Sequence, residues 1–248
     1  MIFPHVPITI KVSEVNRYLG FKKNKSETTE EIDELIESML KQAKYILEPK
    51  GMIRHAKIVT KDPKKFEITC TDSNVAEHGK DVHASYIIRS EKVYKHLAEC
   101  EAITLLGVTI GEQIDMEIDR LFKEQQPTKA LILDAIGSDA VERVADYVDD
   151  YVKKEAKRKG YGTRFRYSPG YGGWSVENQQ DLINYLGGNE IGIKTTEHSQ
   201  LIPRKSVSAI IGWYPLTHTN NGLSEQESAD QETKCKMCDS VDCQIRDS

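Results

Sequence analysis

The segment of residues 164–174 is the part of this 248-residue sequence that most restricts how the chain can fold. Its eleven residues include three glycines, one proline and four aromatic rings, and both flanking segments have helical patterns. Pro169-Gly170 suits the centre of a type II turn, because proline presets φ and glycine accepts the positive φ that follows. Gly172-Gly173 leaves backbone N–H groups that a ligand can approach without meeting a Cβ atom. The chain is therefore expected to turn sharply here.

The side chains of this segment suit a ligand as well as a core. Arg166 carries a planar guanidinium that can bind a carboxylate or a phosphate, and Tyr171 and Trp174 offer flat ring faces. Functional groups concentrate on loops that rigid elements hold in place, which favours a ligand-binding loop. The alternative is a tight, hairpin-like loop whose aromatic rings fill the core. The pattern alone leaves both interpretations open.

The order of helical and strand-like segments predicts the fold class. Strand-like patterns do not alternate regularly with helical ones, which favours an α+β fold with a twisted, largely antiparallel sheet flanked by helices. Gly137-Ser138 is expected to bend the helical stretch that starts at Pro127. The patterns predict strands near residues 8–12, 52–60, 65–70, 102–110, 191–194 and 206–213, and helices near residues 14–19, 28–47, 91–99, 112–124, 127–157 and 176–186.

Charge divides the chain into a body and a tail. The net charge is −5, and residues 220–248 contribute seven acids and three bases, so the body is nearly neutral. A neutral body lacks the basic surface of a nucleic-acid-binding protein. The sequence also shows neither a membrane-length apolar run nor a signal-peptide pattern, so a cytoplasmic protein is expected. We predict one domain over residues 1–218 and a flexible, acidic tail over residues 219–248.

The five cysteines fall into two groups. Cys70 and Cys100 lie in apolar surroundings and are expected to be buried free thiols. The tail carries Cys235-x-x-Cys238-x-x-x-x-Cys243, a spacing that can direct three thiolates at one metal. Zinc would need a fourth ligand, such as His218 or a residue of a partner, and an iron–sulfur cluster with one open iron is the other choice. A mobile tail in which cysteines happen to cluster is the third interpretation.

No catalytic motif is visible in the sequence. The seven histidines show neither ligand spacing nor a nucleophile partner, and no nucleotide-binding glycine motif occurs. Glu142 lies at the edge of the apolar stripe of a predicted helix, where an acid is most often solvated. The residues by themselves predict an α+β domain with a candidate ligand loop and a thiol-rich tail.

Arg166-x-x-x-Gly170-Tyr171, followed by a helix and then by Lys205-Ser206-Val207-Ser208, resembles the activation domain of vitamin B12-dependent methionine synthase. The resemblance covers roughly residues 8–215, and the segment of residues 14–20 and the tail cysteines are similar to separately encoded relatives of that domain. Two positions depart from the family pattern. Tyr171-Gly172-Gly173-Trp174-Ser175 replaces the family's Tyr-Pro-x-Cys-Pro, and Lys11 stands where the family has an acid, with Glu14 the nearest substitute.

The resemblance implies a groove over the sheet that binds S-adenosylmethionine. By motif, Arg166 would pair with the ligand's carboxylate, Ser168 would take a small-residue position and Tyr171 would stack or hydrogen-bond. Glu142 would meet the ligand's positive charge. The cofactor-binding residues predicted in this way are Glu142, Arg166, Ser168, Gly170, Tyr171, Gly172 and Trp174, and no catalytic residue is predicted.

The implied function is a stand-alone activation protein, of methyltransferase type, that supports reductive methylation of cob(II)alamin on a corrinoid protein or on methionine synthase modules. A flavodoxin or ferredoxin, or a cluster bound by the tail, would supply the electron. The alternative is a non-catalytic small-molecule-binding or assembly module whose cysteine tail holds a structural metal.

Overall fold

The computed structural model describes residues 1–21, 29–72 and 85–216. The helices of these residues are α1 (Val12–Tyr18), α2 (Glu30–Ile46), α3 (Glu91–His96), α4 (Gln113–Lys123), α5 (Pro127–Arg158) and α6 (Asn178–Leu186), with a 3₁₀ helix at Gly188–Ile191. The strands are β1 (Ile2–Phe3), β2 (Lys50–Asp62), β3 (Glu67–Asp72), β4 (Ser85–Arg89), β5 (Ala102–Thr109), β6 (Tyr161–Thr163), β7 (Lys194–Thr195), β8 (Leu201–Ile202) and β9 (Ser206–Pro215).

Seven strands of different lengths form one sheet. Its order is β4-β3-β2-β5-β9-β6, and β1 pairs with β2 beside this path. The pairs β1–β2, β2–β3, β3–β4 and β6–β9 are all antiparallel, and β7 and β8 form a second, two-stranded antiparallel sheet. The predicted α+β class with a largely antiparallel sheet is therefore confirmed.

The chain groups into two compact units. Among the described residues, the first comprises residues 1–21, 29–53, 106–150 and 186–207, and the second comprises residues 54–72, 85–105, 151–185 and 208–216. The predicted boundary between a domain and a tail at residue 218 lies outside the described residues, so it stays a prediction.

Helices α2 and α4 of the first unit show why apolar periodicity predicted these helices from the sequence. Each helix buries one stripe of apolar side chains at helical spacing, and Gln42 of α2 donates a hydrogen bond to Glu117 of α4 over 2.5 Å. Such stripes bury apolar area against a neighbouring element, which supplies most of a helix's stability. The buried residues are Ile36, Met39 and Ala43 in α2, and Ile114, Ile118 and Leu121 in α4.

Helix α5 is continuous through Gly137, so the predicted bend is wrong. The helix runs without a break over its 32 residues. A Cβ atom at Gly137 would lie 2.9 Å from Cδ1 of Ile114 and 3.3 Å from the Lys205 side chain. Glycine is thus required here for close packing of neighbouring elements rather than for a change of backbone direction.

The predicted strand at residues 8–12 is also wrong, because this segment leads into a helix. Helix α1 begins at Val12, and its N-cap residue Lys11 donates its backbone N–H to Oδ2 of Asp139 over 2.9 Å. Asp139 of α5 is buried, with 1% of its side chain exposed. The N-cap residue of α1 forms no side-chain capping hydrogen bond, and Asp139 supplies a hydrogen-bond acceptor at this end of the helix. A partner 128 residues away therefore decides this conformation.

The predicted strand at residues 191–194 is wrong over most of its length. The 3₁₀ helix occupies the chain up to Ile191, and Gly192 follows with φ at 84°, in the left-handed region. Strand β7 therefore begins only at Lys194.

The core of the second unit packs under strand β9. A Cβ atom at Gly212 would lie 2.5 Å from Cδ2 of Leu97 and 2.6 Å from Sγ of Cys100, so this strand approaches α3 and the segment after it closely. Cys70 and Cys100 are free and buried, as predicted. Burial raises the pKa of the Cys70 thiol to about 12 and that of Cys100 to about 11, which keeps both thiols protonated.

Candidate functional site

A β-bulge between Thr163 and Tyr167 leads into the loop of residues 166–174 and includes its first residue. Strand β6 pairs Thr163 with Trp213 of β9, and an isolated antiparallel bridge pairs Tyr167 with Ile210. Three residues lie between Thr163 and Tyr167, whereas two lie between Ile210 and Trp213, so this stretch holds one residue more than the facing part of β9. Such a bulge bends the strand and re-aims its side chains, and bulges are frequent beside functional sites. Arg166 lies within it.

Backbone hydrogen bonds fix both ends of the bulge. The Arg164 N–H donates to Gly212 O over 2.8 Å. Tyr167 and Ile210 exchange two bonds of 2.9 Å, one in each direction. The backbone on either side of Arg166 is thus anchored to a central strand of the sheet, which gives the loop a rigid base.

Two successive tight turns form the loop itself. The Tyr171 N–H donates to Ser168 O over 3.3 Å, and Gly170 between them has φ at 91°, as expected for the predicted type II turn. The Trp174 N–H then donates to Tyr171 O over 3.0 Å, across Gly172 and Gly173, whose φ values are 54° and 82°. Positive φ at both central positions is typical of a type I′ turn, so the backbone favours glycine at all three positions.

The aromatic side chains divide between core and surface. Trp174 and Tyr167 are buried, with 1% and 5% of their surfaces exposed, whereas Tyr171 at the tip is 71% exposed. The Tyr167 hydroxyl donates to Gly172 O over 2.7 Å and so ties the two turns to the bulge. Both interpretations of the segment thus hold for different residues: Trp174 fills the core, and Tyr171 is presented to solvent. The buried Trp174 indole N–H has no hydrogen-bond partner among the described residues.

Arg164, the first arginine of the segment, has its partners within the second unit. Arg164 forms an ion pair with Glu99, and its guanidinium lies over the Tyr214 ring at 5.0 Å from the centroid. These contacts occupy Arg164 within the unit. Arg166 and Ser168 are half-buried on the same stretch, and a Cβ atom at Gly173 would lie 3.4 Å from Cγ of Lys92 on α3. Helix α3 therefore borders the loop.

His96 of α3 supports the bulge from the core side. Its Nε2 lies 3.1 Å from the carbonyl oxygen of Phe165, and its ring centroid lies 4.4 Å from that of Phe165 and 5.1 Å from that of Tyr167. Burial lowers the pKa of His96 to about 4, and the positive charge of Arg164 acts in the same direction. The imidazole is therefore neutral at pH 7, and since a carbonyl only accepts, Nε2 carries the proton.

Sequence reasoning did not single out His96. It is one of seven histidines, it lies 69 residues from Phe165 in the chain, and no local pattern connects the two. The only signal was its place on the buried face of α3 together with Val93.

Glu142 lies on the part of α5 that belongs to the first unit, and its surroundings there include α1. Burial raises the pKa of Tyr18, and the negative charge of Glu142 raises it further. The guanidinium of Arg17 lies 4.6 Å from the Tyr18 ring centroid and 2.8 Å from the carboxylate of Glu14. Glu14, the nearest substitute for the acid that Lys11 replaces, is thus engaged in an ion pair.

The predicted metal site lies outside the described residues, since Cys235, Cys238 and Cys243 all belong to the tail. Within residues 1–21, 29–72 and 85–216, no group of three or more histidine, cysteine, aspartate or glutamate side chains is arranged to hold a metal ion. In the same residues no helix is long and apolar enough to span a bilayer.

Comparison with known proteins bears on the fold. No protein-family model and no curated protein matches this sequence. Thirteen chains of solved structures do match. One is the crystal structure of the MetH reactivation domain bound to AdoHcy (S-adenosylhomocysteine), with a TM-score of 0.53 and 18% sequence identity over 75% of this chain and 66% of that one. This chain thus spans slightly less than two thirds of its neighbour's length. The chain has the fold of the MetH reactivation domain.

Proposed function

We propose that this chain binds S-adenosylmethionine at the 166–174 loop and supports the reductive methylation of a cob(II)alamin or corrinoid carried by a partner protein. The observation that carries the proposal is the fold, which it shares with a domain whose structure is bound to AdoHcy. The loop adds support, since it presents an arginine, bare glycine backbone and an exposed tyrosine on a base anchored to the sheet.

Each residue of the loop has a definite part in the proposed site. Arg166 pairs with the carboxylate of the amino-acid end of the ligand, a contact that its planar fork suits. The exposed Tyr171 ring covers the ligand, and the glycines at 170 and 172 let the ligand approach the backbone. Ser168 offers a small hydroxyl beside them. The indole N–H of Trp174, which has no hydrogen-bond partner among the described residues, offers a buried donor, and buried donors usually have a partner.

The chain needs no general base for this function. Bound S-adenosylmethionine supplies a methyl group whose bond to sulfur breaks as the one-electron-reduced corrinoid takes it up and S-adenosylhomocysteine leaves. The work of the loop is to hold the ligand in one orientation and to exclude water. A flavodoxin or ferredoxin would supply the electron, and Cys235, Cys238 and Cys243 would be the residues to hold a cluster that could supply it instead.

Calorimetric titration of the full chain with S-adenosylmethionine, beside S-adenosylhomocysteine, tests the proposal. Saturable binding of one equivalent is expected. The Arg166→Ala variant loses a charge-assisted contact of about 1.5–3 kcal/mol, which corresponds to roughly 10- to 150-fold weaker binding. The matched control is Arg158→Ala, at the exposed end of α5, which leaves the affinity unchanged. No heat with either ligand would refute ligand binding and favour the non-catalytic module.

Glu142 is tested through the charge of the ligand. S-Adenosylmethionine carries a sulfonium and S-adenosylhomocysteine a neutral thioether, so a carboxylate close to the sulfur atom favours only the first. Glu142→Gln is expected to weaken binding of the sulfonium ligand while leaving the thioether ligand unchanged. Asp146→Asn, one turn further along α5 and exposed, serves as the control. Equal loss for both ligands would contradict the assignment of Glu142 to the positive charge.

The tail is tested by metal content and colour. A brown protein with stoichiometric iron and sulfide after anaerobic purification supports electron delivery by the tail. A colourless protein with one zinc supports a structural tail, and the electron donor is then external. The corrinoid step itself is followed by the visible spectrum of a cob(II)alamin carrier with reductant and S-adenosylmethionine, with and without this chain.

A further inference from the structure

We infer that His96 is a positioning residue for Arg166: it holds the bulged peptide between Phe165 and Arg166 and thereby sets the direction of the guanidinium. The inference rests on the proposed function for its consequence in ligand binding. Its structural part, the control of the bulge by His96, is independent of any ligand.

The hydrogen bond acts on the peptide unit that contains the Arg166 nitrogen. His96 Nε2 lies 3.1 Å from Phe165 O, and this oxygen belongs to the same planar group as the Arg166 N–H. Holding the oxygen therefore fixes the plane from which the Cα atom of Arg166 projects. The flanking residues Arg164 and Tyr167 are bonded to β9, so the bulge has its ends fixed by the sheet and its middle by His96.

The imidazole also acts through its faces. Its ring centroid lies 4.4 Å from that of Phe165 and 5.1 Å from that of Tyr167. The Phe165 and Tyr167 rings stack on each other, with their centroids 6.1 Å apart and an interplanar angle of 26°. One side chain thus contacts both neighbours of Arg166. His96 is 7% exposed and its ring contacts Phe165 and Tyr167, so we assign it an action through the residues it holds rather than a contact with the ligand.

Burial explains why a histidine serves here. The Phe165 carbonyl belongs to a bulge, where regular ladder pairing is interrupted, and His96 gives its oxygen a hydrogen-bond donor. A neutral imidazole supplies that donor together with an aromatic face, whereas phenylalanine supplies only the face and glutamine only the donor. This difference separates the two contributions experimentally.

Three variants of the full chain test the inference: His96→Phe, His96→Gln and, as a control, the exposed His198→Gln. The first measurement is amide hydrogen exchange of Tyr167 without ligand. We expect exchange at least 10-fold faster in His96→Phe, and within 3-fold of wild type in His96→Gln and in the control. Unchanged exchange in His96→Phe, or equal acceleration in both His96 variants, would overturn a role for the hydrogen bond. Thermal unfolding shows that each variant is folded.

The second measurement is the affinity for S-adenosylmethionine in a double-mutant cycle. His96→Phe is expected to weaken binding about 10-fold in the wild-type background and by less than 2-fold in the Arg166→Ala background, because the residue acts through Arg166. Equal weakening in both backgrounds would mean that His96 acts independently of Arg166 and would overturn the inference. If the wild type binds no ligand, the proposed function fails, and the exchange measurement alone decides whether His96 holds the bulge.

Discussion

Acidification should destabilise the second unit through His96, and the size of the effect follows from its burial. Burial lowers the pKa of His96 from the ordinary 6.5 to about 4. Below pH 6.5 the His96 side chain binds a proton in the unfolded chain but stays neutral in the folded chain. The free energy of unfolding therefore falls as the pH decreases. At about 1.4 kcal/mol per pKa unit, the loss is about 1.4 kcal/mol at pH 5.5 and about 2.6 kcal/mol at pH 4.5.

The His96→Gln variant isolates this contribution from other titrating groups. Glutamine keeps a donor for Phe165 O but takes up no proton, so the variant lacks this part of the pH dependence. Urea unfolding followed by tryptophan fluorescence gives the free energy at pH 7.5, 6.5, 5.5 and 4.5. The stability of the variant relative to wild type should rise by about 2.6 kcal/mol from pH 7.5 to pH 4.5.

Parallel pH profiles for wild type and His96→Gln would refute the reasoning. They would mean that His96 is protonated in the folded chain near its ordinary pKa and is therefore not held as a buried neutral donor. The exposed His198→Gln control should follow the wild-type profile throughout.

Three further predictions concern packing, capping and the tail. Gly212→Ala places a methyl group within 2.6 Å of the Cys100 sulfur and should lower the free energy of unfolding in urea by about 1–3 kcal/mol. A second substitution, Cys100→Ala, should restore part of this stability. Full stability of the single variant would contradict the close packing. Asp139→Ala leaves the Lys11 N–H without its acceptor and should lower the free energy of unfolding by about 2–3 kcal/mol. The control Asp146→Ala, at a half-exposed side chain, should lower it by less than about 1 kcal/mol. Equal losses would contradict a capping role for Asp139. Chelation should remove metal from the tail without changing the thermal unfolding of the body, and a large fall in its Tm would show that the tail supports the fold.

Local physics explains the elements that sequence patterns predicted well. The apolar spacing of α2 and α4 needs only a neighbouring element to bury it, and the Pro169-Gly170 turn is specified by the φ preferences of its own two residues. The fold class followed from the order of such segments. These features depend on residues within a few positions of each other, so they can be read along the chain.

Two of the errors in element prediction arose where a distant residue overrides a local pattern. Residues 8–12 alternate like a strand, yet Asp139 binds the Lys11 N–H and a helix begins at Val12. Gly137 has the low helix propensity of any glycine, yet contact with Ile114 and Lys205 makes it the residue that fits inside a continuous helix.

The candidate site shows the same division. The amino-acid sequence by itself determined the turn at Pro169-Gly170, because proline and glycine carry their φ preferences without a partner. Only the tertiary structure decided that Trp174 is buried, that Arg164 is used in an ion pair with Glu99, and that a one-residue bulge is held by His96. Burial and hydrogen bonding at this loop depend on strand β9 and helix α3, and their register against the loop is set by packing across the chain rather than by neighbours in sequence.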